Sequence, residues 1–336
     1  MITLRFSVED LGEIRFATSP LWEAVTSLRT LTAGSTTGLH APWLTQVRRR
    51  IGDHNDGLDL LTTVVRPTGY LPDFLHPIPP QRSPGFDTGL AALAATDPRL
   101  VATELAHLAQ HPIAMRGPGY RHRRAMLNDL IADPRSALAR IVAALEGYWQ
   151  LGVAPHWPRM QALLHADLAH RLQELAAGGV RQLFRTLHPA VSFHRNTLSI
   201  VKYYNATADL RQRGLLLIPC VFAWPDVIVR TADPQPALTY SPRGLGRLWE
   251  SQPGTPRSSA LTNVLGGSRA AILTQLDLPM STTHLAGQLG LAAPTVNAHL
   301  KALSRAGIVT SHRDGHNVLY QRTSLGDQLL AAAAHQ

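Results

Sequence analysis

The sequence predicts an α+β protein with two domains of unequal size. Its 336 residues are too many for a single small domain. The first domain is expected to be mostly helical with a small, mainly antiparallel sheet. Helical spacing of apolar residues dominates residues 19–187, and β-branched or apolar runs dominate from residue 190. A smaller second domain follows, in which helices precede a hairpin signal.

The chain begins with a predicted strand and continues with helices. Ile2, Leu4 and Phe6 alternate with polar residues, which indicates an edge strand that leads into a helix. Asp97-Pro98 and Asp133-Pro134 each place an acidic residue before a first-turn proline, a common helix start. The helices predicted after residue 19 are Pro20 to Leu31, Gly89 to Ala95, Pro98 to Gln110, Ala125 to Ala132, Arg135 to Gln150, and Pro158 to Ala177.

Beyond residue 190 the pattern favours strands. The predicted strands are Asn196 to Tyr204, Leu215 to Phe222, Val227 to Val229 and Ala237 to Tyr240. A segment rich in proline, glycine and serine then marks a linker at 251–257. We therefore expect an N-terminal regulatory or dimerisation domain at 1–250 and a second domain at 258–334.

The second domain contains well-marked helices. One is predicted over about 265–276 and another over 282–289, where Ser281 is a favourable N-cap and Gly290 a favourable end. Pro294 suits the first turn of the next helix, 294–306, because its missing N–H costs nothing there. These signals predict a helix, a short turn and a second helix.

A hairpin follows these helices. Strands are predicted at Ile308 to Thr310 and from Val318 to Tyr320, with a turn at Arg313 to His316 and a closing helix over 325–334. Helix, turn, helix and hairpin within about sixty residues form the winged helix-turn-helix, whose second helix enters the DNA major groove. The alternative is a packing or dimerisation module that does not touch DNA.

The helix at 294–306 carries the predicted base-reading face. Val296, Leu300 and Leu303 recur at helical spacing and are expected to face the core. Asparagine pairs well with adenine, and lysine donates to guanine or to phosphate. The predicted outward, DNA-facing residues are Thr295, Asn297, Ala298, Lys301 and Arg305.

Other predicted DNA contacts flank this helix. Thr282 and Thr283 open the preceding helix, where hydroxyls and N–H groups can hold a phosphate. Arg313 and His316 at the wing tip suit the minor groove or its phosphates, and Tyr320 on the return strand completes the set. For each of these residues the alternative is a solvated surface position.

The segments THLAGQLGL, PTVNAHLKALSRAGIV and HRDGHNVLYQ resemble ArsR-type (arsenic-repressor-like) bacterial winged-helix regulators over 258–334. The resemblance implies a homodimer that binds double-stranded DNA at a two-fold operator and usually represses transcription. Its metal-sensing branch has paired cysteines on the helix matching 282–289. This chain has Cys220 alone, so that role is not carried over. Ala293 and Pro294 replace residues that are commonly polar, which predicts a readout that depends on phosphates and DNA shape.

The N-terminal domain has a resemblance of its own. GLLLIPCVFAWPDVIV, followed by YSPRGLGRLW, resembles an uncharacterised domain that precedes ArsR-type helices in actinobacterial regulators. The resemblance covers most of 1–250 and implies the two-domain arrangement without naming a ligand.

Motifs for catalysis are missing from the sequence. It has no Gly-x-Ser-x-Gly, His-Glu-x-x-His or phosphate loop, so we expect no enzyme, no metal and no cofactor. His107 and His111 are four residues apart on one helix face, where they are either a metal pair or partly exposed surface histidines.

The net charge of +9 makes a polyanionic partner plausible. Residues 1–257 carry +7 and residues 258–336 carry +2. Two basic clusters, Arg48 to Arg50 and Arg121 to Arg124, are either solvated faces or sites for flanking DNA or an acidic ligand.

Four aromatic residues are candidates for binding a small-molecule effector. They fall near the ends of predicted elements, where core packing is the ordinary role. A pocket between the helical part and the sheet is the functional alternative. These residues are Trp149, Trp157, Phe222 and Trp224.

The expected function is DNA-binding transcriptional regulation in the cytoplasm, without a membrane partner. No apolar run approaches the roughly 20 residues of a membrane span, and the N-terminus does not resemble a signal peptide. One alternative is a ligand-free regulator whose N-terminal domain is a platform for dimerisation and protein contacts. Another is an N-terminal enzyme domain that the second domain brings to nucleic acid.

Overall fold

The computed structural model describes residues 1–33, 39–52, 57–202, 204–231, 234–249, 260–276, 279–314 and 317–334. The helices of the N-terminal domain are α1 (Val8–Gly12), α2 (Pro20–Thr32), α3 (Ala41–Ile51), α4 (Leu58–Val64), α5 (Phe86–Ala94), α6 (Pro98–Gln110), α7 (Tyr120–Ala132), α8 (Pro134–Tyr148) and α9 (Trp157–Arg185). Its strands are β1 (Ile2–Arg5), β2 (Ile14–Phe16), β3 (Val191–His194), β4 (Thr197–Ile200), β5 (Ala206–Asp209), β6 (Leu215–Pro219), β7 (Ile228–Arg230) and β8 (Ala237–Tyr240).

The second domain follows from residue 260. Its helices are α10 (Ala260–Leu265), α11 (Gly267–Gln275), α12 (Thr282–Leu289), α13 (Ala293–Arg305) and α14 (Ser324–Ala334). Its strands are β9 (Met280–Ser281), β10 (Val309–Asp314) and β11 (Asn317–Arg322). The predicted linker at 251–257 lies outside the described residues. Along the described stretches, no helix combines the length and apolar character that crossing a membrane requires.

Helix α2 is the centre of the helical part. Every residue from Pro20 to Leu28 is buried, and the helix packs on α4, α5 and α8. Ser19 caps its start, because the hydroxyl accepts the N–H of Trp22 at 3.2 Å. The two predicted Asp-Pro starts are also confirmed: Asp97 and Asp133 cap α6 and α8.

Two helices of the N-terminal domain were not predicted, and two others are longer than expected, since α7 begins at Tyr120 rather than at the predicted Ala125. In α3, the buried residues Trp43, Val47 and Ile51 follow helical spacing. The adjoining arginines and the short length of the helix make this spacing hard to recognise in the sequence. Helix α4 is only seven residues long. Helix α9 continues beyond the predicted end at Ala177, with a break at Gly179, where φ is 65°.

The predicted fold class is confirmed, but the single, mainly antiparallel sheet is wrong in detail. The described part of the N-terminal domain has two four-stranded sheets, ordered β3-β4-β1-β5 and β2-β6-β8-β7. The pairs β1–β5, β2–β6 and β6–β8 are parallel. Strands β1 and β2 reach these partners only after the whole helical part, and such long connections permit parallel pairing.

Three of the predicted strands differ from those observed. Strand β1 is not an edge strand, since it lies between β4 and β5. Strand β4 begins only at Thr197 because Arg195 and Asn196 have φ of 47° and 57°, which makes a two-residue hairpin turn after β3. Strand β7 is displaced by one residue, to Ile228–Arg230.

Strand β6 ends at Pro219, short of the predicted Phe222, because a buried carboxylate captures the next backbone groups. Glu23 on α2 accepts the N–H of Val221 at 2.7 Å and that of Phe222 at 3.4 Å. Burial raises the pKa of Glu23 to about 7, against the opposing effect of these hydrogen bonds. The segment after β6 is therefore held against α2.

The winged helix-turn-helix has its predicted elements. Strands β10, β11 and β9 form its sheet, with Tyr320 opposite Ser311 and Met280. Leu285 and Leu289 of α12 pack with Val296, Leu300 and Leu303 of α13 in the core. Strand β9 and helix α10 are additions to the prediction, since the single helix expected at about 265–276 corresponds to α11 alone.

Candidate nucleic-acid interface

The start of α12 is built as its sequence predicts. The Ser281 hydroxyl accepts the N–H of His284 at 3.3 Å and lies 2.8 Å from its Nδ1. Thr282 is half-buried and Thr283 is exposed. Gly290 ends the helix with φ of 62°. This helix start therefore carries an exposed residue with a hydroxyl, Thr283, which suits a phosphate contact.

Helix α13 presents one polar face to solvent. Burial of Val296, Leu300 and Leu303 sets the rotation of the helix about its axis. Opposite them, Thr295, Ala298, Lys301 and Arg305 are exposed, and Asn297 is half-buried. His299 is half-buried as well. The structure therefore brings the five predicted α13 residues together on the side of the helix that faces away from the core.

The structure describes two of the three predicted wing residues, Arg313 and Tyr320. Arg313 is exposed near the end of β10, opposite Val318. His316, predicted at the wing tip, lies outside the described residues. Tyr320 is half-buried and packs against the core, so its ring has a structural contact besides its predicted role at DNA.

The two basic clusters have different surroundings. Arg48, Arg49 and Arg50 are exposed on α3. Arg123 is buried and donates to the carbonyl oxygens of Arg116, at 3.1 Å, and Pro118. It thereby secures the loop before α7, whereas Arg121 and Arg124 are exposed. The second cluster is therefore partly structural.

The N-terminal domain contacts α12 directly. The N–H of Gly244 donates to the carbonyl oxygen of Gly287 at 3.0 Å. A Cβ on Gly287 would lie 3.3 Å from Nε of Arg243, and one on Gly246 would lie 2.7 Å from Leu289. The glycines therefore permit close approach of the segment 243–246 to the helix that precedes α13.

A buried ionic network supports this contact. Arg171 on α9 is 1% exposed, and it donates to Glu174 at 2.9 Å and lies 3.5 Å from Asp167. Asp167 also accepts the Tyr240 hydroxyl at 2.8 Å and the N–H of Arg243 at 2.9 Å. Burial lowers the pKa of Arg171, but Asp167, Tyr240 and Glu174 together outweigh this effect and raise it. The network therefore fixes Arg243 beside α12.

Two histidines lie at the same junction. Burial, and then the positive charge of Arg171, lower the pKa of His284 to about 4. Burial, and then His284, lower the pKa of His188 to about 4. His188 Nδ1 accepts the N–H of Ala190 at 3.1 Å, so Nε2 is the donor to Pro225 O at 3.2 Å. Both rings are therefore neutral near pH 7.

Several buried polar atoms near the contact between the N-terminal domain and α12 lack hydrogen-bond partners among the described residues. Both amide atoms of Gln275, Oε1 of Gln288 and Nε2 of His284 are buried without a hydrogen-bond partner among the described residues. A Cβ on Gly246 would lie 3.0 Å from Nε2 of Gln275, which places that side chain at the contact. Each such group costs about 1–3 kcal/mol. The contact therefore leaves several polar atoms without a partner from the described residues.

A cavity of about 880 Å³ lies between the helical part and the second sheet. Phe222 and Trp224 line it, beside the cis Trp224–Pro225 peptide. Trp149 does not, because it stacks on Phe86 with ring centroids 4.3 Å apart, and Trp157 packs on Trp149. Two of the four predicted aromatic residues therefore meet at one cavity.

Sequence analysis missed most of the other residues lining this cavity. His107 and His111, which the sequence indicated only as a metal pair or surface histidines, line it together with Tyr70, whose ring centroid lies 4.5 Å from that of His107 and 6.1 Å from that of His111. Within the described ranges, no group of three histidine, cysteine or carboxylate side chains could hold a metal ion. Arg29 and Lys202 also line the cavity. Their shared location depends on segments far apart in the chain, so no local pattern marks it.

Comparison with known families identifies two regions. A family model described as a helix-turn-helix domain matches residues 267–312, from α11 into β10. A family of unknown function (DUF5937) matches residues 88–243, from α5 to the segment after β8. No curated protein and no solved structure matches the chain. The chain thus carries a helix-turn-helix domain after an uncharacterised N-terminal region.

Proposed function

We propose that this protein is a DNA-binding transcriptional regulator of the ArsR type. The observation that carries the proposal is the exposed polar face of α13 within the helix-turn-helix domain. Helix α13 would enter the major groove, and the wing at 308–322 would contact the flanking groove. The proposed DNA-binding domain is 258–334, joined by the linker 251–257 to a regulatory domain at 1–250.

The proposed contacts divide into base readers and phosphate contacts. Thr295, Asn297 and Lys301 near the start of α13 would read base edges, with Ala298 and Arg305 beside them. Thr282, Thr283 and Arg313 would bind phosphates, with His316 and Tyr320 as further wing contacts. This division makes base readers and phosphate contacts separable by experiment.

The proposed assembly is a homodimer on a two-fold operator, and the proposed effect is repression. Both follow from the ArsR-type resemblance, in which dimer symmetry matches operator symmetry. The actinobacterial character of the N-terminal domain remains a prediction from the sequence.

The N-terminal domain would regulate DNA binding through its contact with α12. Arg243 and Gly244 lie against the helix that sets the position of α13. A ligand that binds one arrangement of the two domains more tightly shifts their equilibrium, and operator affinity changes by that difference. The unsatisfied polar groups at the contact favour this model, since they leave the docked arrangement easy to change.

Binding of the full chain to its own promoter region, titrated across salt concentrations, tests the proposed function. We expect a discrete footprint with two-fold symmetry that persists as salt rises. Weak binding that is independent of sequence and disappears with salt would contradict specific recognition by this domain.

Replacing Asn297 and Lys301 together with alanine is expected to weaken operator binding by about tenfold or more, because good base contacts contribute about 1–3 kcal/mol each. The fold should be unchanged, since neither side chain is buried. Fluorescence anisotropy with the operator and with scrambled DNA measures the effect. Asn128→Ala with Arg181→Ala, exposed on α7 and α9 respectively, is the control. Unchanged operator affinity would show that the reading face is misplaced.

Arg313→Ala is expected to weaken binding to operator and scrambled DNA alike, because its proposed contact is with phosphate. The slope of log affinity against log salt should become shallower by about one unit. Titrations at several salt concentrations give this slope for the variant and for Arg181→Ala, an exposed arginine on α9. A selective loss at the operator would instead indicate that Arg313 reads bases.

A further inference from the structure

We propose that the 880 Å³ cavity of the N-terminal domain binds an organic anion, a carboxylate carried on a flat apolar body. The cavity is bounded by α2, the loop before α5, α6 and the segment before β7. The binding itself is independent of the proposed function. Its regulatory consequence rests on that function.

A pair of cations at the cavity selects the anion. Arg29 and Lys202 both line it, and Arg29 lies near enough to contribute to the lowered pKa of Lys202, after burial. Two cations that line one cavity make it favourable for an anion. The Lys202 ammonium has three N–H donors, and within the described residues two acceptors hold it: Asp226 at 2.5 Å and Val227 O at 2.6 Å. A donor remains for a ligand carboxylate.

Two carboxylates also line the cavity, but they do not cancel this preference. Asp226 pairs with Lys202, yet its side chain is 54% exposed whereas that of Lys202 is 9% exposed. Solvent therefore screens the anion of this pair more than the cation. The Asp73 side chain is 24% exposed, which is also more than that of Lys202. The least screened charge at this end of the cavity is consequently positive.

The walls select the apolar body. Phe222, Trp224 and Tyr70 offer aromatic surfaces, and Val227 and Ile113 offer aliphatic ones. The indole N–H of Trp224 is buried and has no acceptor among the described residues. A ligand that brings an acceptor beside an aromatic or apolar face fits this combination, because pockets join apolar walls with few polar groups.

The cavity wall continues to the contact with α12. Trp224 and Pro225 line the cavity, and His188 contacts both: its ring is 5.7 Å from that of Trp224, and its Nε2 donates to Pro225 O. His284 of α12 is among the groups that act on His188. A ligand that displaces the segment 224–226 would therefore act on the junction with the winged helix.

Matched pairs of probes test the charge selection on the intact protein without DNA. We would use benzoate with benzamide, 2-naphthoate with 2-naphthamide, and indole-3-acetate with indole-3-acetamide. Calorimetry at about pH 7.5, where the acids are ionised, gives each affinity. We expect at least one carboxylate to bind with Kd below about 1 mM, and its amide to bind about tenfold more weakly or worse.

Substitutions of the two cavity-lining cations test whether the carboxylate binds in the cavity. Lys202→Met should weaken the carboxylate by about tenfold and leave its amide unchanged, as should Arg29→Met if the first variant does not fold. Arg181→Met, at an exposed position on α9 away from the cavity, is the control and should bind as the parent does. The proposal would be overturned if acid and amide bound with equal affinity, or if all variants had the same affinity for the carboxylate. It would also be overturned if no probe bound at concentrations up to about 5 mM. Promoter binding is measured separately, so failure of the ligand site and failure of the regulator function remain distinguishable.

Discussion

Replacing Arg171 with methionine is expected to lower the free energy of unfolding by about 3–5 kcal/mol. The guanidinium is the cation that Asp167 and Glu174 share, and these carboxylates are 2% and 9% exposed. Methionine is apolar and of similar length, so it removes the charge and leaves two buried anions beside Tyr240. Urea-induced unfolding, followed by far-ultraviolet circular dichroism, measures the change.

The same helix supplies the control. Arg181→Met lies on an exposed turn of α9 and should change stability by less than about 0.5 kcal/mol. Adding Asp167→Asn and Glu174→Gln to Arg171→Met should recover part of the loss, because the uncompensated charges are then removed. A loss below about 1 kcal/mol for Arg171→Met would show that solvent reaches the network and screens its charges.

The winged helix-turn-helix could be predicted because its signals are short-range. Ser281 acts on an N–H three residues away, Gly290 ends the helix by its own φ, and the apolar spacing in α13 sets its buried face. Each of these causes acts within one or two helical turns. Consequently the predicted bounds of α12 are correct and those of α13 differ by one residue.

The N-terminal domain was predicted less completely because long-range contacts determine it. Strand β6 ends where Glu23, almost two hundred residues earlier, takes its backbone N–H groups. In the sequence, Asp167 and Arg171 have the i, i+4 spacing that is typical of an ion pair on a helix surface. Tyr240 and Arg243, more than seventy residues later, complete a buried network. No local pattern distinguishes the two cases.

The candidate effector site shows the same limit. Aromatic residues near element ends indicated Phe222 and Trp224 but also Trp149 and Trp157, which pack elsewhere. The cations of the cavity come from α2 and from the segment after β4. Aromatic character alone cannot separate residues that line a cavity from those in the core, since both are buried.

Acidification from pH 7 to 5 is expected to destabilise the protein through its buried neutral histidines. Burial lowers the pKa of His40 to about 3 and, with nearby positive charge, those of His188 and His284 to about 4. The unfolded chain binds these protons near pH 6.5 and the folded chain does not, so stability falls as pH falls. The loss is about 2 kcal/mol for each histidine at pH 5. Glu23 acts oppositely, because its raised pKa of about 7 adds stability as pH falls toward 4.5.

Substitution of His284 tests this balance at the junction of the two domains. His284 faces Arg171 and Glu174 of α9 and also His188, so its protonation would place a new charge within a packed network. His284→Gln should reduce the pH dependence of unfolding between pH 7 and 5 by about 2 kcal/mol. His194→Gln, on an exposed strand end, should leave it unchanged. Urea unfolding at half-unit pH steps resolves the difference. If both variants keep the parent's pH dependence, His284 is not neutral and enclosed, and the winged helix does not dock on the N-terminal domain in this arrangement.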